Sequence, residues 1–191
     1  MTSLITRRTL VTRNTRRSFL RRGLQLSAAA VALLGGREAL AARQDGNPAA
    51  DIEILNRALA AEHRAIAAYQ VGAESSLLGA AARDLALQFQ GHHRAHAALL
   101  DRTVAQLGGR PVAAQGAYAF PVESLHAEAD VLRFAAELER GAVSAYLAAV
   151  PKFANRDLSH AAASILGDEA MHWAVLRQAL GEAPVPMAFV S

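Results

Sequence analysis

Glu169 and His172 stand three positions apart in Gly167-Asp168-Glu169-Ala170-Met171-His172, a spacing that puts a carboxylate and an imidazole on one side of a helical turn. Alone the pattern is weak, because any charged helix produces it by chance. It gains force from His93 and His96 at the corresponding places of an earlier helix, and from Glu62 and Glu139, each set in an otherwise apolar seam. Burying an unpaired carboxylate is costly, so three at one level would repel one another and tend to protonate or open the structure. A divalent metal ion resolves that conflict by supplying positive charge and accepting oxygen and nitrogen lone pairs. Mixed carboxylate and imidazole donors suit Fe, Mn or Zn better than the hardest cations, which prefer all-oxygen sites. The candidate ligands are therefore Glu62, His93, His96, Glu139, Glu169 and His172.

Four helices are needed to carry them. The first is expected over residues 51–73, capped by Asp51, with Leu55, Leu59, Glu62, Ile66 and Tyr69 alternating by four and three along its seam. A turn of a few residues implies an antiparallel neighbour over 77–107, with Phe89, His93, His96, Leu100 and Leu107 on its inner stripe; Gly108 and Gly109 stop it. Residues 110–125 carry Pro111, Gly116 and Pro121 and no helical period, which suits a crossover along the whole bundle. A third helix over 127–150 repeats the seam as Leu132, Ala135, Glu139, Ala142 and Tyr146 and ends at Pro151. The fourth, capped by Asn155 or Asp157, runs to about residue 180 with Ile165, Glu169, His172 and Leu176 facing in. Residues 182–191 read as an extended tail.

The two halves repeat. Glu62 to Tyr69 and Glu139 to Tyr146 share Glu-x-x-Ala-(Ile/Val)-x-Ala-Tyr at an offset of 77, and Gly91 to Leu100 matches Gly167 to Leu176 at an offset of 76. One helical hairpin is thus expected to be related to the other by a pseudo-two-fold axis, on which the six residues converge. The simpler reading of Tyr69 and Tyr146 is core packing rather than hydrogen bonding. His63, His126 and His160 read as surface residues, and His92 lies beside the inner stripe, facing either way.

With one Glu from each of two helices and Glu-x-x-His on another, residues 51–181 resemble the ferritin-like superfamily of di-iron and di-manganese carboxylate proteins. The resemblance implies an all-α, antiparallel four-helix bundle. It makes Glu62 and Glu139 terminal carboxylates, Glu169 a bridging carboxylate, and His96 and His172 one imidazole per metal. The departure is His93, where the family pattern expects a second bridging Glu. Three carboxylates with three imidazoles carry less negative charge, which weakens the hold on oxidised iron and relatively favours Zn or Cu. A single ion is an alternative to a pair. The implied chemistry is oxidase, peroxidase or catalase-like, with dioxygen or peroxide as partner. Metal storage in a homo-oligomer, or a metal-free structural bundle with a vestigial polar layer, are the competing readings.

The charge of the 191-residue chain is +3 but unevenly placed: eight arginines precede residue 43 against one acid, Glu38, whereas 12 basic residues face 16 acidic ones from residue 43 onward. That acidic remainder gives no footprint for nucleic acid. Without cysteine, disulfides, thiolate ligands and iron–sulfur clusters are excluded. Within the basic segment, Thr15-Arg16-Arg17-Ser18-Phe19-Leu20-Arg21 resembles the twin-arginine (Tat) export consensus. A mildly apolar run over 24–34 follows, too short to span a membrane, then a small-x-small cleavage pattern at Ala39-Leu40-Ala41. The expectation is a signal peptide over 1–42, a linker over 43–50, use of the Tat export machinery, and a folded periplasmic or extracellular product with no membrane association after cleavage.

Overall fold

The computed structural model describes residues 48–190; the expected signal peptide and most of the linker lie outside the described residues. Four long helices make up the bundle: α1 Pro48–Glu74, α2 Ala80–Gln106, α3 Glu128–Ala149 and α4 Arg156–Ala179, with 3-10 turns at Val122–Ser124 and Val150–Lys152. There is no strand among the described residues, as an Ala- and Leu-rich chain with few aromatics favours.

α1 starts three residues earlier than its apolar period suggests. Pro48 occupies the first helical position, where its fixed φ is already helical and its missing N–H costs nothing. Asp51 therefore lies inside the first turn and does not act as the expected cap. Its buried carboxylate instead accepts the backbone N–H groups of Ala154 and Asn155 at 2.9 and 3.2 Å, tying the start of α1 to the loop before α4. Asn155 caps α4, its side chain accepting from the Asp157 N–H at 2.8 Å. α2 starts at Ala80 rather than at 77, because Ser76 sits at φ 58 in the left-handed region and turns the chain there.

The crossover is pinned at both ends. At its start, Asn56 of α1 donates to the Arg110 carbonyl at 3.1 Å and accepts from the Val112 N–H at 2.8 Å. A Cβ on Gly109 would come within 2.7 Å of Ile52, so the chain leaves α2 directly against α1. At its far end the Gly79 N–H, just before α2, donates to Glu128 Oε2 at 2.6 Å. The connection thus runs the length of the bundle, with Phe120 set edge-on to Phe134 and under the Arg64 guanidinium.

α1 packs with α2 and α3 with α4 as hairpins, and α1 also closes on α3, where a Cβ on Gly72 would come 3.3 Å from Val131. α2 and α4 meet chiefly through long side chains. Two apolar clusters cap the ends of the interior. One holds Leu55, Leu59, Leu100, Val104, Leu158 and Ile165. The other holds Phe89, Leu132, Trp173 and Leu176. Each fully buried side chain of this size contributes about 1.5–3 kcal/mol, which is what sustains a polar layer between them. The seam differs from expectation at a few places: Ile66, Ala135 and Ala142 are half-buried while Ala136 and Val143 fill the interior, a drift that follows from 3.6 residues per turn. Residues 182–190 form neither helix nor strand and bend at several points, with Val185 and Phe189 well exposed. No helix among the described residues is long and apolar enough to cross a membrane.

Candidate metal centre

All six sequence-predicted residues meet at one level between the two apolar clusters. Glu62 comes from α1, His93 and His96 from α2, Glu139 from α3, and Glu169 and His172 from α4. Glu139 and Glu169 are fully buried, His93 and His172 nearly so, and only His96 keeps a partly open edge. They fall into two four-residue groups able to hold a metal ion: Glu62, His93, His96 and Glu169; and His93, Glu139, Glu169 and His172. His93 and Glu169 belong to both.

The shared residues point both ways. His93 turns Nδ1 to Glu62 Oε2 at 2.8 Å and Nε2 to Glu139 Oε1 at 3.2 Å. Glu169 turns Oε1 to His96 Nδ1 at 3.1 Å and Oε2 to His172 Nδ1 at 3.2 Å. The remaining donor separations, such as His172 Nδ1 to Glu139 Oε1 at 3.5 Å and His96 Nδ1 to Glu62 Oε1 at 3.7 Å, close each group. With bonds of about 2.1 Å to a central ion, neighbouring donors stand about 3.0 Å apart in an octahedron and about 3.4 Å in a tetrahedron. The separations here, from 2.8 to 3.7 Å, bracket those two values. A further observation points the same way: Glu139 Oε2 is buried and has no hydrogen-bond partner. Leaving such an oxygen unsatisfied costs about 1–3 kcal/mol, and a cation at this place would remove the cost.

The tyrosines correct the sequence reading. Both are buried, as core residues would be, but each also hydrogen-bonds across the bundle. Tyr69 of α1 donates to Glu139 Oε1 of α3. Tyr146 of α3 donates to Glu62 Oε1 of α1 at 2.6 Å. This exchange is the pseudo-two-fold axis in side chains. The repeat held only half of it, a Tyr seven residues after each Glu, two turns along the same face, without naming the partner.

Asp168 and His92 were missed as a unit. Asp168 Oδ2 lies 3.2 Å from His92 Nδ1, 3.3 Å from His96 Nε2 and 3.4 Å from His172 Nε2. His92 Nδ1 also lies 2.8 Å from His172 Nε2. Phe89 stacks on the His172 ring at 4.0 Å and blocks one face of it. The signal was the repeat itself, since His92 and Asp168 occupy the same place in it, each immediately before a shared residue. Of the remaining histidines, His126 and His160 are exposed as expected, and His63 is half-buried.

The electrostatics follow from this pairing. Burial raises the Glu62 carboxyl, but hydrogen bonds from His93 and His96 outweigh it and hold the group down at about 2. Glu139 is likewise raised by burial and then pulled well below the carboxylate range by His172 and His93. Burial lowers the imidazoles, yet their carboxylate partners win. His93 is pushed up to about 10 by Glu139 and Glu62. His96 rises to about 12 through Asp168, Glu169 and Glu62, and His172 to about 9 through Glu139 and Glu169. Glu169 moves the other way, raised by burial with the Glu139 charge adding to it. Burial also lifts the Asp168 carboxyl, but His92 and His96 hold it far below its ordinary value. In both tyrosines burial, and then the charge of the carboxylate each touches, pushes the hydroxyl well above its ordinary value. Without metal the layer thus sets two depressed carboxyls, Glu62 and Glu139, and the raised Glu169 against three imidazoles whose charged form is favoured, which suits His93 because both of its nitrogens face acids.

Comparison with known proteins agrees with this architecture. A family model described as "Ferritin-like domain" matches residues 50–182. A crystal structure of a conserved hypothetical protein from Mycobacterium tuberculosis superposes with a TM-score of 0.65 at 24% identity, covering 71% of this chain and 100% of that one. No curated protein matches the sequence. From the match over the whole helical region, on a four-helix bundle whose buried Glu/His layer could hold a metal ion, the chain belongs to the ferritin-like domain family.

Proposed function

We propose that the bundle binds a pair of divalent transition-metal ions, Glu62 and His96 serving one, Glu139 and His172 the other, and His93 and Glu169 both. The observation that carries this reading is the sharing: each of the two residues common to both groups offers a different atom to each. Fe or Mn is the expected metal of such a donor set, with Zn or Cu favoured more than usual because His93 replaces a carboxylate. Bound iron or manganese would supply oxidase- or peroxidase-type chemistry toward dioxygen or peroxide. The protein's part is to position and to shield. Tyr69 and Tyr146 fix the outer carboxylates, Asp168 orients His96 and His172 through their outer nitrogens, and Phe89 covers one ring face.

The arginine pair at residues 16 and 17, in its setting, supports Tat export of the folded protein to the periplasm or exterior. Fractionation of cells expressing the full chain, with the N-terminus of the exported form determined, tests this; a start near Ala42 is expected, and an uncleaved cytoplasmic chain would refute it.

Metal analysis after loading with Mn2+, Fe2+ or Zn2+, beside a Glu169→Ala variant, tests the centre. Retention by the wild type and loss in the variant is the expected result. One observation favours a metal-free polar layer as the second reading: the three carboxyl groups already pair directly with the three imidazoles. On that reading the wild type would retain no ion and gain no thermal stability from any of the three.

A further inference from the structure

On the side where α2 and α4 meet through side chains, the layer opens toward solvent along a graded series. His92 and Asp168 keep 27% and 23% of their side-chain surface exposed, His96 13% and His172 2%. His92, Asp168 and His172 form a third group able to hold a metal ion, outside the layer already described. His92 Nδ1 stands 2.8 Å from His172 Nε2 and 3.2 Å from Asp168 Oδ2, and that oxygen stands 3.4 Å from His172 Nε2. Three donors at such separations match the edges of a coordination polyhedron with bonds of about 2.1 Å, and leave room on the solvent side for water ligands. A single carboxylate oxygen approached by three imidazole nitrogens, from His92, His96 and His172, is also more than ordinary hydrogen bonding uses.

The ring of His172 links this outer group to the inner one. Its Nε2 faces His92 and Asp168, while its Nδ1 faces Glu169 and Glu139. His96 is built alike, Nε2 toward Asp168 and Nδ1 toward Glu169. An ion held outside is therefore one imidazole away from the inner carboxylates. His92 and Asp168 are the most exposed donors of this series, whereas the clusters on either side of the layer are mainly apolar.

From this geometry we infer that His92, Asp168 and the outer nitrogen of His172 form a loading site. It captures a divalent transition-metal ion from solvent and passes it to the inner layer. The inference rests on the inner pair only for the destination of the ion; capture stands on its own. His92 and Asp168 distinguish it, since neither belongs to an inner group; Asp168 also touches His96, so His92 is the cleaner probe.

Co2+ uptake by the full chain, followed by stopped-flow visible absorption and then metal content at equilibrium, tests it. The wild type should show a fast phase proportional to Co2+ concentration and a slower, concentration-independent one. His92→Ala should lose the fast phase and fill the inner layer about tenfold more slowly or worse, with its final inner content unchanged. His92→Asp, which returns a ligand at that position, should restore the fast phase. Wild-type uptake rates in His92→Ala would overturn the loading site. Glu139→Gln separates this from the inner reading. If the fast phase survives there as one ion per chain, the outer site is real whether or not the inner pair forms; if no fast phase appears in either the wild type or Glu139→Gln, the outer site is not.

Discussion

The two hairpins are built alike and furnished differently. α1 and α3 each carry Glu followed seven residues later by Tyr, and each tyrosine reaches the other helix's glutamate. Among the polar residues that face the centre, α2 and α4 depart from each other at two adjacent positions: His92 and His93 in one, Asp168 and Glu169 in the other. Two acids on α4 face two imidazoles on α2. A fully symmetric layer would carry one more carboxylate at its centre and depend on a cation to hold it; here His93 places a protonated ring between Glu62 and Glu139 instead. The asymmetry gives the buried carboxyls imidazole partners without any metal, and an ion bound there would have to displace protons.

The strongest way to break this comparison is to remove its centre. His93→Ala leaves Glu62 without its closest imidazole and takes one from Glu139, so the metal-free protein should lose about 3–5 kcal/mol in chemical denaturation, the cost of stripping one partner from a buried charge set. Replacing it with acid sharpens the comparison. His93→Glu makes the hairpins match at the central position, and we expect the metal-free form to melt lower than the wild type while gaining more from added Mn2+ than the wild type does; differential scanning calorimetry with and without the ion measures both.

pH probes the same matching. The histidines have folded values raised above 6.5, so their contribution is complete below pH 6.5 and is lost as pH rises through about 9 for His172 and about 10 for His93. Glu62 is depressed to about 2, so its contribution is complete above pH 4.5 and is lost as pH falls from there through about 2. Glu169 is raised above 4.5 and so costs stability as pH rises from there. The denaturation midpoint of the metal-free protein should therefore peak near pH 4.5 and decline on either side.

Smaller effects follow from the tyrosines. Tyr69→Phe and Tyr146→Phe should each cost about 1–3 kcal/mol, as expected for a hydrogen bond to a buried carboxylate. Tyr69→Phe should be the worse of the two because its partner Glu139 already has one oxygen unsatisfied. Added metal should shrink that difference, which paired melting curves would record.

Much of this was legible in the sequence because period and repeat are local properties. The spacing of Leu55, Leu59, Glu62 and Tyr69 fixed a face, and the offsets of 77 and 76 paired the halves, so all six residues of the layer could be named. Partner choice was not legible, since it depends on how helices cross. Nothing in the chain near Tyr69 says that its hydroxyl reaches Glu139, and nothing near Asp168 says that it faces imidazoles of α2. Asp51 shows the same limit: its spacing suited a cap, while tertiary packing gave it the N–H groups of residues far along the chain. The first turn of α1 was missed because Pro48 and Gly46 read as a linker, although proline begins helices as readily as it breaks them.

The central claim is that one buried layer holds two ions through residues shared between them. Titration of the metal-free wild type with Mn2+, followed by loss of the free-ion EPR signal, addresses it directly. About two ions should bind per chain with a spin-coupled spectrum, and Glu169→Ala should abolish the coupling. Binding of a single uncoupled ion, or none at saturating Mn2+, would contradict it.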